Sequence, residues 1–274
     1  MLQAMIHGKL TREGEGLEDL LTSNIFGLMK YLPSEAALLP FLSLAKDPLR
    51  DHSLASWLKG TLKVESFRFW PTLAHPKCFG CEPDVDIVFL HDDGTKAWIL
   101  IEAKYRSGKS SEAIEDTERP NDQLAREFDN LRSISEQRGI TRHALVYLTT
   151  DYTCPQKELQ ESADEYERKR GSSPNLYWLS WRALYDVLER TDYSDDRIIE
   201  DLKMLLLKLN LTMFRRLRFK DIRKLEWNFE RIPKYWSWSV LKPKWSFIRK
   251  RLSWDWSPFP KLERWRFGER NQVE

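Results

Sequence analysis

Two short stretches carry the residues best suited to chemistry. EPDVDIVFL spans 82–90 and ILIEAKYRSGKS spans 99–110. Side chains alternate across a strand, so Asp84 and Asp86 share one face of the first stretch. Glu102 and Lys104 likewise share a face with Trp98 and Leu100 in the second. The intervening HDDGTK reads as a hairpin turn, which makes the two strands antiparallel neighbours. Charges at the end of the apolar run WILI need a reason, because unpaired buried charge is costly. Carboxylates brought together repel unless a cation sits between them. Hard oxygen ligands of this kind suit Mg²⁺, which takes one or two carboxylates and keeps several waters. Lys104 would then orient or deprotonate an attacking water, or stabilise a phosphate oxygen.

These residues need elements to hold them. Leu17, Leu21, Ile25, Leu28, Met29 and Leu32 recur at helical spacing, which predicts a helix over 17–32, ended near Pro33. Glu18 projects from the apolar stripe of that helix, whereas Asp19 turns about 100° toward solvent. An inward carboxylate calls for a partner, and the Asp/Glu/Lys cluster is the natural one. Further helical pieces are expected at 35–46 and 51–60, then strands at 63–70, 84–90 and 97–104. A polar loop leads to a helix at 121–138 and a buried strand at 143–150. A charged, exposed helix (PQKELQESADEYERKR), a strand at 175–181 and helices at 182–190 and 194–210 follow. Such an order predicts an α/β fold, a central mixed sheet covered by helices.

Composition bounds the function classes. The chain has 274 residues, 41% hydrophobic and 31% charged, which is ample for a core. No run approaches 18 uncharged apolar residues, so no membrane span is expected. MLQAMIHGKLTREGEG lacks the pattern of a secretory signal, and three cysteines form no disulfide framework, so a cytoplasmic location is expected. The net charge of +2 hides an asymmetry. Residues 212–274 hold 17 Lys/Arg against 7 Asp/Glu, while residues 1–211 hold 27 against 35. Seven of the twelve tryptophans also lie in 212–274. The expected organisation is an acidic body over 1–211 and a Trp-rich basic segment over 212–274, with a polyanion as partner. The tryptophans of the segment either pack onto the body, stack on bases along a nucleic-acid path, or dock a partner protein.

With the motifs in place, the chain resembles the PD-(D/E)XK nuclease superfamily. Pro83-Asp84, a spacer across a hairpin, then Glu102-Ala103-Lys104 match its central pattern. Glu18 in LEDLLTSNIFG fits the acidic residue such nucleases often carry on the first helix, and Gln123 in NDQLAREF fits a Gln early in the following helix. The resemblance covers about residues 15–150. It implies a restriction-endonuclease-like core and an Mg²⁺-dependent endonuclease acting on DNA, with Mn²⁺ able to substitute. By it, Asp84 and Glu102 bind the metal, the carbonyl of Ala103 completes the site, and Glu18 holds the metal or a water. Lys104 positions the nucleophile, and Gln123 orients Lys104 or a phosphate. Analogy with the superfamily extends this to prokaryotic defence against foreign DNA, with a regulatory or guide protein as a further partner. An inactive nuclease fold serving as a nucleic-acid-binding or assembly subunit is the alternative.

Several residues keep two readings. Asp86 competes with Asp84 on the same face, and Asp84 is favoured because it follows Pro83. Arg106, Ser107 and Lys109 either touch phosphate or form a solvated loop. Cys78 and Cys81 have C-x-x-C spacing with His75 nearby, but no second ligand pair is evident, which favours loop thiols over zinc. Arg215, Arg216, Arg249, Lys250 and Arg251 are the expected phosphate contacts of the basic segment. Replacing either group of these cations with Gln is expected to weaken duplex binding and flatten its salt dependence. Titrating labelled DNA at several salt concentrations checks this. A parental affinity and slope would make the segment structural or a protein-docking arm.

Overall fold

The structure, a computed structural model, describes residues 17–60, 62–113, 117–194 and 196–213. The expectations for Arg215, Arg216, Arg249, Lys250 and Arg251 lie outside the described residues. Among those described, no helix is long and apolar enough to cross a membrane.

The elements run α1 (Leu17–Met29), α2 (Leu38–Leu42), β1 (Lys46–Asp47), β2 (His52–Ser53), β3 (Leu62–Phe69), β4 (Val85–His91) and β5 (Lys96–Ala103). After these come α3 (Gln123–Gln137), β6 (Arg142–Thr149), α4 (Gln156–Arg170), β7 (Leu176–Ser180), α5 (Arg182–Leu188) and α6 (Arg197–Lys208). One seven-stranded mixed sheet results, in the order β2-β1-β7-β6-β5-β4-β3. The expected hairpin pairs β4 with β5 in antiparallel register, Val85 opposite Ile101 and Asp86 opposite Leu100. Parallel pairing joins β5 to β6 and β6 to β7.

The sheet separates two apolar layers. On one face Ile87, Ile99 and Val146 pack with Ile25 and Phe26 of α1, with Trp181, and with Leu202 of α6. On the other, Trp98, Leu100 and Tyr147 pack with Leu124 and Phe128 of α3 and Tyr166 of α4. Residues 97–103 of β5 are buried throughout, as befits a strand covered on both faces. Polar residues on this strand are therefore forced either to find partners or to cost stability.

Three expectations need correction. Residues 51–60 hold no α-helix: His52–Ser53 form β2, and only Leu54–Ser56 make a single 3-10 turn, capped by Ser53. Residues 35–46 form helix only over Leu38–Leu42, and the chain then enters β1, where Lys46 pairs with Trp178 of β7. The Asp47 carboxylate fixes that turn by accepting the backbone N–H groups of Leu49 and Arg50 and the Arg50 guanidinium. Helix α4 is not simply exposed. It buries Leu159, Ser162, Ala163, Glu165 and Tyr166, and Glu165 works by accepting the N–H groups of Asn121 and Asp122 just ahead of α3.

Asp86 is tied into the sheet. It accepts the indole N–H of Trp98 at 2.8 Å and pairs with Arg68, directly opposite on β3. Asp86→Ala strands the buried Trp98 N–H and is expected to cost about 1–3 kcal/mol. Asp86→Asn, which retains an acceptor for Trp98, is expected to cost less. Chemical denaturation of the two variants beside the parent measures the difference, and equal stability of all three would remove Asp86 from this structural role.

Candidate active site

Four elements converge beyond the carboxyl end of β5. Asp84 immediately precedes β4, and antiparallel pairing sets it beside the last residues of β5. Its Oδ2 accepts the Ala103 N–H at 2.8 Å, and its Oδ1 accepts the Trp70 indole N–H at 3.0 Å. Trp70 adopts a left-handed backbone conformation, φ 43°, uncommon for a bulky residue. Its main-chain N–H also donates to the Asp84 carbonyl, so both ends of Trp70 clasp Asp84.

Glu102 points from β5 toward the α3 face. Its Oε1 accepts Lys104 Nζ at 2.6 Å and the side-chain amide of Gln123, the first residue of α3. Lys104 Nζ also lies 3.3 Å from Glu18 of α1. The second oxygen of Glu18 accepts the Tyr105 N–H at 2.8 Å and the Ser107 hydroxyl. The inward Glu18 predicted from the helix stripe thus reaches the cluster, where it holds Lys104 and the loop that follows.

Gln123 is placed by a polar scaffold. Asp122 caps α3 by accepting the N–H groups of Leu124 and Ala125. Lys109 Nζ pairs with Asp122 and donates to Ser162 Oγ at 3.1 Å and the Glu158 carbonyl. The Lys109 side chain is 6% exposed. That leaves Arg106, exposed and at φ 65°, as the loop cation facing solvent.

Sequence reasoning missed Glu127. One turn after Gln123, it accepts the same amide at 3.2 Å and is fully enclosed. Its i,i+4 spacing from Gln123 was the available signal, but at that spacing an acidic residue reads equally as ordinary helix surface.

The electrostatics follow from burial. Burial and the facing Glu102 push the Asp84 carboxyl well above its ordinary range, against the pull of the Ala103 N–H. Burial and Glu127 push Glu102 up as well, opposed by Lys104. Burial raises Glu127 to about 8, with the Gln123 hydrogen bond opposing. For Lys104, burial works against the charge, but Glu102, Glu18 and Asp84 outweigh it and hold the ammonium protonated. One buried ammonium thus faces several carboxylates.

Among the described residues no group of three or more His, Cys, Asp or Glu side chains is assembled to hold an ion. Mg²⁺ needs only one or two carboxylates beside its waters, so Asp84, Glu102 and the Ala103 carbonyl fit as a donor set. A dication would also offset the excess negative charge, and Glu127 Oε2 is a buried oxygen with no partner. The Cys78/Cys81 loop packs instead. Both thiols are buried, and burial pushes the Cys78 thiol up to about 11. His75 Nδ1 lies 3.8 Å from Cys78 Sγ.

Comparison with known proteins finds a relative in Pasteurella multocida described as an uncharacterized protein. It is 26% identical over 224 residues, which cover 74% of this chain and 77% of that protein. No family model matches the chain, and no solved structure matches it.

The raised carboxyls make stability depend on pH. Glu127 shifts from 4.5 to about 8, so the folded chain binds more protons than the unfolded one between those values. Stability is then complete below the lower value and is lost as pH rises through the upper. In EDTA the melting temperature is expected to fall between about pH 5 and about pH 9. Mg²⁺ is expected to raise it most at the alkaline end, where the carboxylates are free to bind. Thermal melts at both ends, with and without Mg²⁺, check this. A flat profile in EDTA would contradict the electrostatic picture.

Proposed function

We propose that the protein is a divalent-metal-dependent endonuclease that hydrolyses phosphodiester bonds of DNA on a restriction-endonuclease-like core. The observation that carries this reading is the convergence of Asp84, Glu102, Lys104 and Gln123 in one buried cluster. They come from the start of β4, the end of β5 and the start of α3, and match the residues that the sequence motif singles out.

Each residue has a task in that reaction. Asp84 and Glu102 supply the oxygens that hold the ion, with the Ala103 carbonyl beside them. Bound there, Mg²⁺ would lower the pKa of the attacking water and offset charge developing on the phosphoryl oxygens. Lys104, kept protonated by its carboxylate neighbours, orients the nucleophile and stabilises a phosphate oxygen rather than accepting a proton. Glu18 holds the Lys104 ammonium from the α1 side. Gln123 fixes Glu102 through its amide and ties it to the loop by accepting the Ser110 N–H at 2.7 Å. Arg106, exposed beside the cluster, is available to the DNA backbone.

Incubation with plasmid, linear DNA, single-stranded DNA and RNA tests the proposal. Cleavage of DNA is expected with Mg²⁺ or Mn²⁺ and is expected to vanish in EDTA. Asp84→Ala is expected to abolish cleavage in a folded chain. Lys104→Ala is expected to keep metal binding and lose turnover, because its contribution belongs to the transition state. Full cleavage in chelator sinks the mechanism. DNA binding without cleavage in either metal favours the alternative of a nuclease-fold binding or assembly subunit.

A further inference from the structure

Glu127 is a carboxylate that the tasks above leave unused, and its surroundings are specific. It sits on the face of α3 that covers the sheet, with 1% of its surface exposed. Gln123 spends one amide on both Glu102 Oε1 and Glu127 Oε1, and its carbonyl oxygen takes the Ser110 N–H. Glu127 Oε2 is left without any hydrogen-bond partner. Arg126, its neighbour in sequence, does not fill the gap. The Arg126 Nε is itself buried and unpartnered, so the two groups do not meet.

An enclosed carboxylate oxygen without a donor is costly. A packing role would be served better by Leu, which brings neither a charge nor an unpartnered polar atom. When ionised, the oxygen needs a donor that arrives with positive charge, and the shared Gln123 amide sets Glu127 next to Glu102. Direct ligation of one ion by three carboxylates is not available among the described residues. Mg²⁺ sheds its waters reluctantly, so a hydrated cation presents O–H donors at its periphery.

We propose that Glu127 is the outer carboxylate of the divalent-ion site, its free Oε2 accepting a hydrogen bond from a water of the cation held by Asp84 and Glu102. This rests on reading the cluster as an ion site, and it assigns Glu127 a positioning role rather than a place among the direct ligands. Gln123 then couples inner and outer carboxylates, since one amide bonds both Glu102 and Glu127. Outer partners of this kind typically change metal affinity by about 10–100-fold when removed.

The test is calorimetric titration of Mn²⁺ into the full chain after stripping with EDTA, alongside thermal melts in EDTA. Glu127→Gln keeps the side chain's shape and is expected to weaken Mn²⁺ binding by about 10–100-fold. Its melting temperature in EDTA is expected to be no lower than the parent's. Glu127→Asp keeps the charge but withdraws it by one methylene, and is expected to weaken binding at least several-fold. It also serves as the test should the Gln variant fail to fold. Parental affinity in either variant overturns the inference: in the Gln variant because no contact was lost, in the Asp variant because only the field matters. A parent that binds no Mn²⁺ overturns the ion-site reading itself, and this inference with it. Loss of cleavage with Mn²⁺ affinity intact would count against the outer-ligand role while leaving the nuclease proposal standing.

Discussion

Everything around the cluster depends on keeping several carboxylates enclosed beside one ammonium. Burial alone favours their neutral forms. Lys104 relieves the strain on Glu102 and Glu18, the Ala103 and Trp70 N–H groups serve Asp84, and Gln123 serves Glu102 and Glu127. Those neutral donors satisfy lone pairs without cancelling net charge. The arrangement therefore stabilises carboxylates only in part, which is the condition in which a dication binds with most effect.

Precision in such a cluster comes from what stands behind it. The amino end of α3 is fixed by Asp122, which is held by Lys109, while the backbone ahead of it is held by Glu165 of α4. Glu165 is in turn paired with Lys169 at 2.9 Å. Two ion pairs, Lys109–Asp122 and Lys169–Glu165, thus flank the backbone ahead of α3, so each desolvated charge has a partner within reach. Lys109, read from sequence as a phosphate contact or a solvated residue, supports the helix end from which Gln123 reaches Glu102. Removing its charge would leave Asp122 buried and unpaired, a larger disturbance than loss of a surface cation.

Much of the fold was legible because period and length agreed. β3 to β7 are five to eight residues long, and their boundaries fall within one residue of the expected ones. β1 and β2, two residues each, carry no period that could be read, and their place is set by pairing with β7 and by the Asp47–Arg50 turn. In the site, Asp84, Glu102 and Lys104 were legible from spacing, and Glu18 from its position on an apolar stripe. Glu127 and Trp70 were not. An acidic residue inside a charged helix reads as solvated, and an indole donating across a turn leaves no mark in the sequence.

The two aspartates show how one strand face can hold two kinds of carboxylate. Asp86 lies inside the sheet, where the facing Arg68 on β3 and the Trp98 indole satisfy it. Asp84, two residues toward the strand end, faces no arginine. Its bonds come from the neutral Trp70 and Ala103 N–H groups, and its nearest charged neighbours include Glu102. An ion pair fills the need of the first for a cation, whereas the second has only Lys104 nearby, shared with Glu102 and Glu18. Position along the strand decides the difference, because β3 runs alongside β4 as far as Val85, opposite Phe69, and the chain turns at Trp70, which offers Asp84 only neutral N–H groups. The end of that pairing is thus what leaves Asp84 without a facing cation on β3, the condition that the proposed ion site requires.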